Sequence, residues 1–429
     1  MLVRYMVVSI LCTLAFVLGG EEMVSADSME DCFNKGVTLT SEEERIEEGE
    51  PIPQKIMEKA DFAQFADQFK RNLCGADNIR QAEKFITLGG EQLWNKAVEH
   101  AQGEVDFGEL DRYDDRPLYW TRLHMTRALK QWKPGFDIST ERREELLKKL
   151  EYTSRGITSI DFPNGNGIKR ILVSGFDPYR LEEEFRRTNP SGAAALQMDG
   201  KKVMTKDGLA IIQAANFAVR WEDFEEGIVE DTFGPYVKET KEQVDLMMTI
   251  SQGGPRVMAI EGYAGRWQSG VDNQLENRSN VIPTTKKWPM PEDLPEFIET
   301  TLPYEEMASA KTGPWPVERN NEVCEWQAPE YERDDFICHE GGPTEGSKAR
   351  AGGGGSYLSN ESQYRSNRVR LGVGSYDIPG GHLHVAAQEH YPEDSQVYIT
   401  EDFMKFRKAT VDQTVNLVEA AAGAISRKK

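Results

Sequence analysis

The sequence predicts an α/β fold, a three-layer α/β/α sandwich with a largely parallel sheet over 166–429, preceded by an N-terminal helical domain. Three observations carry this. From residue 51 to about 156, apolar residues recur at three- and four-residue steps, the spacing of amphipathic helices. The breaker cluster "DFPNGNG" at 161–167 ends that texture. Beyond it, the apolar runs "IKRILVSGF", "LAIIQAANFAV" and "VDLMMTISQGG" have a segment of helical composition among them, as strands covered on both faces do. Chemistry in such sheets gathers at the carboxyl ends of the strands.

Taken in order, residues 1–26 read as an export signal. "MLVRY" supplies a positive charge, "MVVSILCTLAFVLGG" an apolar core too short for a comfortable span, and "VSA" small residues before a cut at Asp27. Residues 27–165 form an acidic lead-in and a helical accessory domain. Its first helix, "IPQKIMEKADFAQFADQFKRNL", presents Ile56, Phe62, Phe65, Phe69 and Leu73 on one face. The next, "RQAEKFITLGGEQLWNKAVEHA", is expected to break at Gly89-Gly90. A third has Pro117 in its first turn and stops at Pro134-Gly135, and a fourth is capped by Ser139 or Thr140. In the α/β part, "EDTFGPYVKETKEQ" is the helix between two strands, and 281–355 shows no periodicity, so it is expected as an irregular insertion over the surface. "AGGGG" at 351–355 reads as a flexible joint; no G-K-S/T follows it, so it is not a phosphate loop. The last helix buries Phe403, Phe406, Val411, Val415 and Val418.

A net charge of −21 on 429 residues argues against DNA, RNA or anionic lipid as partner. Beyond the signal no stretch is apolar and long enough to span a bilayer, so the expected location is secreted, extracellular or periplasmic. Removing Cys12 with the signal leaves Cys32, Cys74, Cys324 and Cys338. An even number suits an oxidising compartment. Three pairings exist; locality favours Cys32–Cys74 and Cys324–Cys338, the second closing a loop for roughly 3 kcal/mol. A four-cysteine zinc site would want C-x-x-C spacing, which is absent. No cofactor is implied.

Four segments bear chemistry: "GFDPYRLEEEFRRTNPSGAAAL", "SQGGPRVMAIEGYAGRW", "SYLSNESQYRSNRVRL" and "PGGHLHVAA". In this order they resemble the pyroglutamyl peptidase I family, cysteine peptidases that remove an N-terminal pyroglutamate. That family carries G-F-E/D-P-F-G-G and N-P-S, then G-Q-A-G-G-R with a glutamate in V-E-R. S-N-x-A-G-x-x-x-C-N and G-F-I/V-H-V-P follow. The resemblance covers roughly 169–425 without the insertion and leaves 27–165 unmatched. It implies Glu261 as the acid that orients the histidine, His384 as the base, and Ser366, before Asn367, at the position of the nucleophilic cysteine. It implies Phe176 and Tyr179 packing the lactam ring, Asn189 in the N-P-S loop, Gln252 near the substrate and Arg266 near the oxyanion.

The residues themselves support part of this. "GHLHVAA" alternates as a strand, placing His382 and His384 on one face. Glu, His and Ser form a chemically complete set for nucleophilic attack. Serine replaces the family's cysteine, and its spacing from "SN" is one residue shorter. If Asn360 caps the helix, that slip turns the side chain by about 100°, which would present Ser362 or Tyr364 instead. "RLEEEFRR" puts charge where the family has its double glycine. Two readings stay open: a secreted hydrolase acting on a blocked peptide or small amide, and a non-catalytic relative that binds peptide or protein. A zinc site on His382-x-His384 with His390 lacks a further ligand motif.

Overall fold

The computed structural model describes residues 31–105, 108–165, 167–327, 331 and 335–426; the export-signal reading of 1–26 lies outside them. The helical region comprises α1 (Ser41–Glu48), α2 (Ile52–Lys59), α3 (Ala63–Cys74), α4 (Ile79–Gln102), α5 (Arg116–Gln131) and α6 (Thr140–Ser154). Thr40 opens α1 with a reciprocal Thr40–Glu43 capping box, and Asn78 and Ser139 cap α4 and α6. The face expected as one helix from 51 to 73 is two, because the chain turns at Asp61, whose φ is 58°. Conversely, α4 runs through Gly89-Gly90 without a break. A Cβ on Gly90 would lie 2.0 Å from Thr153 Oγ1 on α6, so this glycine allows two helices to approach closely. Trp94, Trp120, Phe69 and Leu150 fill the core between these helices. Cys32–Cys74 is a disulfide and ties the lead-in to α3.

The α/β region contributes β1 (Lys169–Phe176), β2 (Lys202–Thr205), β3 (Gly208–Phe217), β4 (Leu246–Gln252) and β5 (Met258–Glu261). Short strands follow: β6 (Tyr263–Gly265), β7 (Trp267–Val271), β8 (Asn277–Val281), β9 (Phe297–Glu299), β10 (Val317–Asn320), β11 (Val323–Trp326), β12 (Ile337–His339) and β13 (Lys348–Ala351). The last strand is β14 (Gly380–Val385). The helices are α7 (Pro190–Met198), α8 (Trp221–Glu225), α9 (Ile228–Val237), α10 (Tyr304–Ser309), α11 (Leu358–Gly372) and α12 (Glu401–Ala424).

The seven-stranded sheet has the order β10-β5-β14-β4-β1-β3-β2. Pairs β10/β5, β14/β4, β4/β1 and β1/β3 are parallel; β5/β14 and β3/β2 are antiparallel. Alternation along β1 sends Ile171 and Val173 to one face, against α7 and α12, and Leu172 to the other, against residues of α9 and α11. These are the three predicted layers.

The stretch 281–355 is not wholly irregular. It supplies β10 to the edge of the main sheet, and β11, β12 and β13 form a three-stranded antiparallel sheet. Cys324 and Cys338 face each other across β11 and β12 and are disulfide-bonded. Strands of three or four residues are too short to show a period. Among the described residues no helix is long and apolar enough to cross a membrane.

Candidate active site

The site is organised by β14. His382 and His384 share a face, their rings 4.7 Å apart, but they do different things. His382 is fully buried, with Nδ1 2.7 Å from Thr249 Oγ1 and Nε2 2.8 Å from Ser251 Oγ. Burial, reinforced by His384, holds it well below the ordinary histidine value, so its ring is neutral. Both of its nitrogens are engaged, and His390 lies instead against the Phe406 ring at 5.5 Å. His384 Nδ1 meets Glu261 Oε1 at 2.6 Å. Glu261, which ends β5, is 1% exposed, whereas the His384 side chain is 13% exposed. A buried carboxylate on Nδ1 places the proton there and leaves Nε2 as the acceptor.

The glycine run folds over this pair. Gly352 and Gly355 exchange backbone hydrogen bonds in a closed turn, and Asn320 Nδ2 donates to Gly353 O at 2.7 Å. A Cβ on Gly353 would lie 2.4 Å from Glu261 Oε2, and Gly355 has φ of 81°. Only glycine permits both features. The segment expected as a flexible joint is a packed turn that roofs the Glu261–His384 pair.

A cleft of about 210 Å³ opens beside His384. Phe176, Tyr179, Asn189 and Gln252 all line it, as do Val219, Ser251, Tyr357 and Leu358. Phe176, at the end of β1, packs against the Phe217 and Phe224 rings. Asn189 caps α7 and donates from Nδ2 to Asp177 O at 2.9 Å. Gln252 Oε1 accepts from Gln388 N at 2.9 Å. Among the described residues no Asp, Glu, Lys or Arg lines the cleft. The charges of "RLEEEFRR" are turned elsewhere: Arg187 pairs with Glu183 at 2.8 Å, and Arg180 with Glu183 and Arg186 with Glu184 do likewise.

Two expected site residues are not at the cleft. Arg266 is 3.5 Å from Glu296 and lines no part of it. Ser366 is 1% exposed, and its Oγ donates back along its own helix to Gln363 O at 3.2 Å. The reason is where α11 begins. It starts at Leu358 with no side-chain cap, and Asn360 instead bonds the backbone N–H and C=O of Gly265 at 2.7 and 2.8 Å. Ser366 therefore lies in the body of the helix, about 10 Å along the axis from its first turn. Ser362 Oγ donates to Ser359 O, and Tyr364 OH to Pro295 O.

Besides Leu358, α11 brings Ser359 to the cleft, half-buried in the first turn and sharing the lining with His384. The sequence carries a signal for it. Read onto Gly354-Gly355-Ser356-Tyr357-Leu358-Ser359-Asn360, the family's A-G-x-x-x-C-N keeps its spacing with no slip. Reading Ser359-Asn360 as the earlier S-N of that motif places the serine seven residues later, at Ser366.

The helical region braces the same cleft. Asp177, between Phe176 and Tyr179, is held by Arg122 of α5 and by Arg155 Nη1 at 2.6 Å. Asp115 accepts from Asn189 N at 2.9 Å and from Thr188 Oγ1. Burial, and then the neighbouring Asp114, push Asp115 up to about 7.

Residues 24–151 match the model of the PA0049 N-terminal domain, and residues 170–290 and 317–389 that of the PA0049 C-terminal domain. "Uncharacterized protein PA0049" of Pseudomonas aeruginosa is 30% identical, across 84% of this chain and 83% of its own length. The chain belongs to the PA0049 family. Glu261, Ser359 and His384 all fall within the PA0049 C-terminal match, whereas the 291–316 stretch it omits holds β9 and α10. Among solved structures, a mutant pyrrolidone carboxyl peptidase from Pyrococcus furiosus is 18% identical, covering 59% of this chain and 98% of its own, with a TM-score of 0.39. Pyroglutamyl peptidase I from Bacillus amyloliquefaciens is 19% identical over 59% and 97%, with a TM-score of 0.37.

Proposed function

We propose that this PA0049-family protein is a secreted serine hydrolase that cleaves a neutral, blocked amide, an N-terminal pyroglutamyl bond being the first candidate. Ser359 is the nucleophile, His384 the general base and Glu261 the residue that orients it. The observation that carries the reading is the pairing of His384 with a buried carboxylate at 2.6 Å, in a cleft that Ser359 of α11 also lines.

In the first step Ser359 Oγ adds to the amide carbon while its proton passes to His384 Nε2. The imidazolium then gives that proton to the amide nitrogen, the C–N bond breaks, and the amine leaves. Water repeats the sequence: it loses a proton to Nε2, adds to the ester carbon and returns Ser359 as the hydroxyl. Backbone N–H groups in the first turn of a helix have no intrahelical acceptor. Those of α11 stand beside Ser359, where oxyanion charge develops.

The neutral lining supports the choice of substrate. A free α-ammonium would be stripped of water there without a carboxylate to meet it, whereas a lactam needs only Asn189- and Gln252-type hydrogen bonding against aromatic rings. The motif order supports the same assignment. Two disulfides suit an oxidising compartment.

The test is release of chromophore from a pyroglutamyl anilide. Ser359→Ala is expected to lower kcat by about a thousandfold or more, while Ser366→Ala stays within a few-fold of the parent. No hydrolysis by the parent protein would leave a peptide-binding role in place of the enzyme.

A further inference from the structure

His384 stands between two cavities. Besides the neutral cleft, it borders a second cavity of about 530 Å³, walled by the Gly253-Gly254 turn, Gly353 and the edge strand β10. The character of this one is acidic. Glu318 and Glu340 are exposed on it, and neither side chain is engaged in an ion pair or hydrogen bond among the described residues. Its one cation among the described residues, Arg319, is already neutralised by Glu299 at 3.1 Å. Glu261 lines the same cavity; it is 1% exposed, and while Oε1 holds His384, Oε2 accepts no hydrogen bond. A buried carboxylate oxygen without a donor is a costly arrangement, and it adds an uncompensated acidic oxygen to the wall of this cavity.

The two cavities also divide a substrate in the way the chemistry needs. With the acyl half against Ser359, the departing nitrogen has to lie next to the imidazole that protonates it. The remainder of the molecule then extends past His384 into the acidic cavity.

We infer that this second cavity is the leaving-group subsite, and that Glu318 and Glu340 select substrates with a basic residue immediately after the scissile bond. This rests on the hydrolase reading above. The substrate class is then a peptide with a neutral, blocked first residue and a cationic second one. A protein charge of −21 acts in the same direction, since it draws cationic peptides to the surface and is screened by salt.

The experiment compares pyroglutamyl-lysyl and pyroglutamyl-glutamyl peptides of equal length. It reads kcat/KM with the parent protein and affinity by calorimetry with Ser359→Ala. At low salt both readouts should favour the lysyl peptide by on the order of tenfold or more. Combining Glu318→Gln with Glu340→Gln, two exposed positions, should bring both ratios close to one, as should high salt. Equal hydrolysis of the two peptides, or a preference that survives the double substitution, overturns the subsite while leaving the hydrolase. A lysyl preference in binding without turnover of either peptide keeps the subsite and removes the hydrolase.

Discussion

Glu230→Ala is expected to destabilise the protein by about 3–5 kcal/mol. Helix α11 is held by a charge cluster that solvent does not reach. Glu230 Oε1, on α9, accepts from Arg365 Nη1 at 3.0 Å and from Arg368 Nη2 at 2.8 Å, and Glu361 accepts from Arg365 Nε at 2.6 Å. All four side chains are fully buried. Two carboxylates balance two guanidiniums. Deleting Glu230 leaves one buried positive charge uncompensated, and removing a partner from a buried pair costs far more than the pair itself contributes. Glu230→Gln keeps an acceptor oxygen, so it should cost less than the alanine. Urea unfolding measures both; a loss below about 1 kcal/mol for the alanine would mean that water reaches the cluster. Because Ser359 lies in the first turn of the same helix, activity should decline together with stability.

Glu261→Gln is expected to lower kcat by about 10⁴-fold. The substitution keeps the volume and leaves the 2.6 Å contact to His384 Nδ1 sterically possible. What changes is the direction of the hydrogen bond. A carboxylate accepts, which fixes the proton on Nδ1; an amide can donate to Nδ1, and then Nε2 carries the proton and cannot take one from Ser359. Glu261 does not line the neutral cleft, so KM for a pyroglutamyl anilide should change little. A rise in KM with kcat intact would make Glu261 a binding group and contradict its orienting role.

The division between what could and could not be read in the sequence follows physical lines. Strands β1, β3 and β4 are continuous apolar runs because they are buried on both faces, and such runs stand out in a polar chain. The shared face of His382 and His384 was accessible because strand alternation fixes which face a histidine takes; Glu261 as the partner of His384 was implied by the motif resemblance alone. The serine that α11 carries into the cleft was harder. Asn360 is a good capping residue by type, but here it reaches across to Gly265, and α11 begins before it with no side-chain cap. Local preference pointed to one helix start and a tertiary hydrogen bond selected another. The Gly89-Gly90 pair misled for a related reason: a glycine's role in close packing against α6 is invisible without knowing the neighbour. The strands of 317–351 are too short for periodicity, and what defines them is cross-strand pairing around Cys324 and Cys338.

Covalent trapping tests the central assignment most directly. Treating the protein with a fluorophosphonate, followed by peptide mass spectrometry, should place one adduct on Ser359, at a rate that falls steeply in His384→Ala. An unmodified Ser359, or an adduct on Ser366 in its place, would contradict the account.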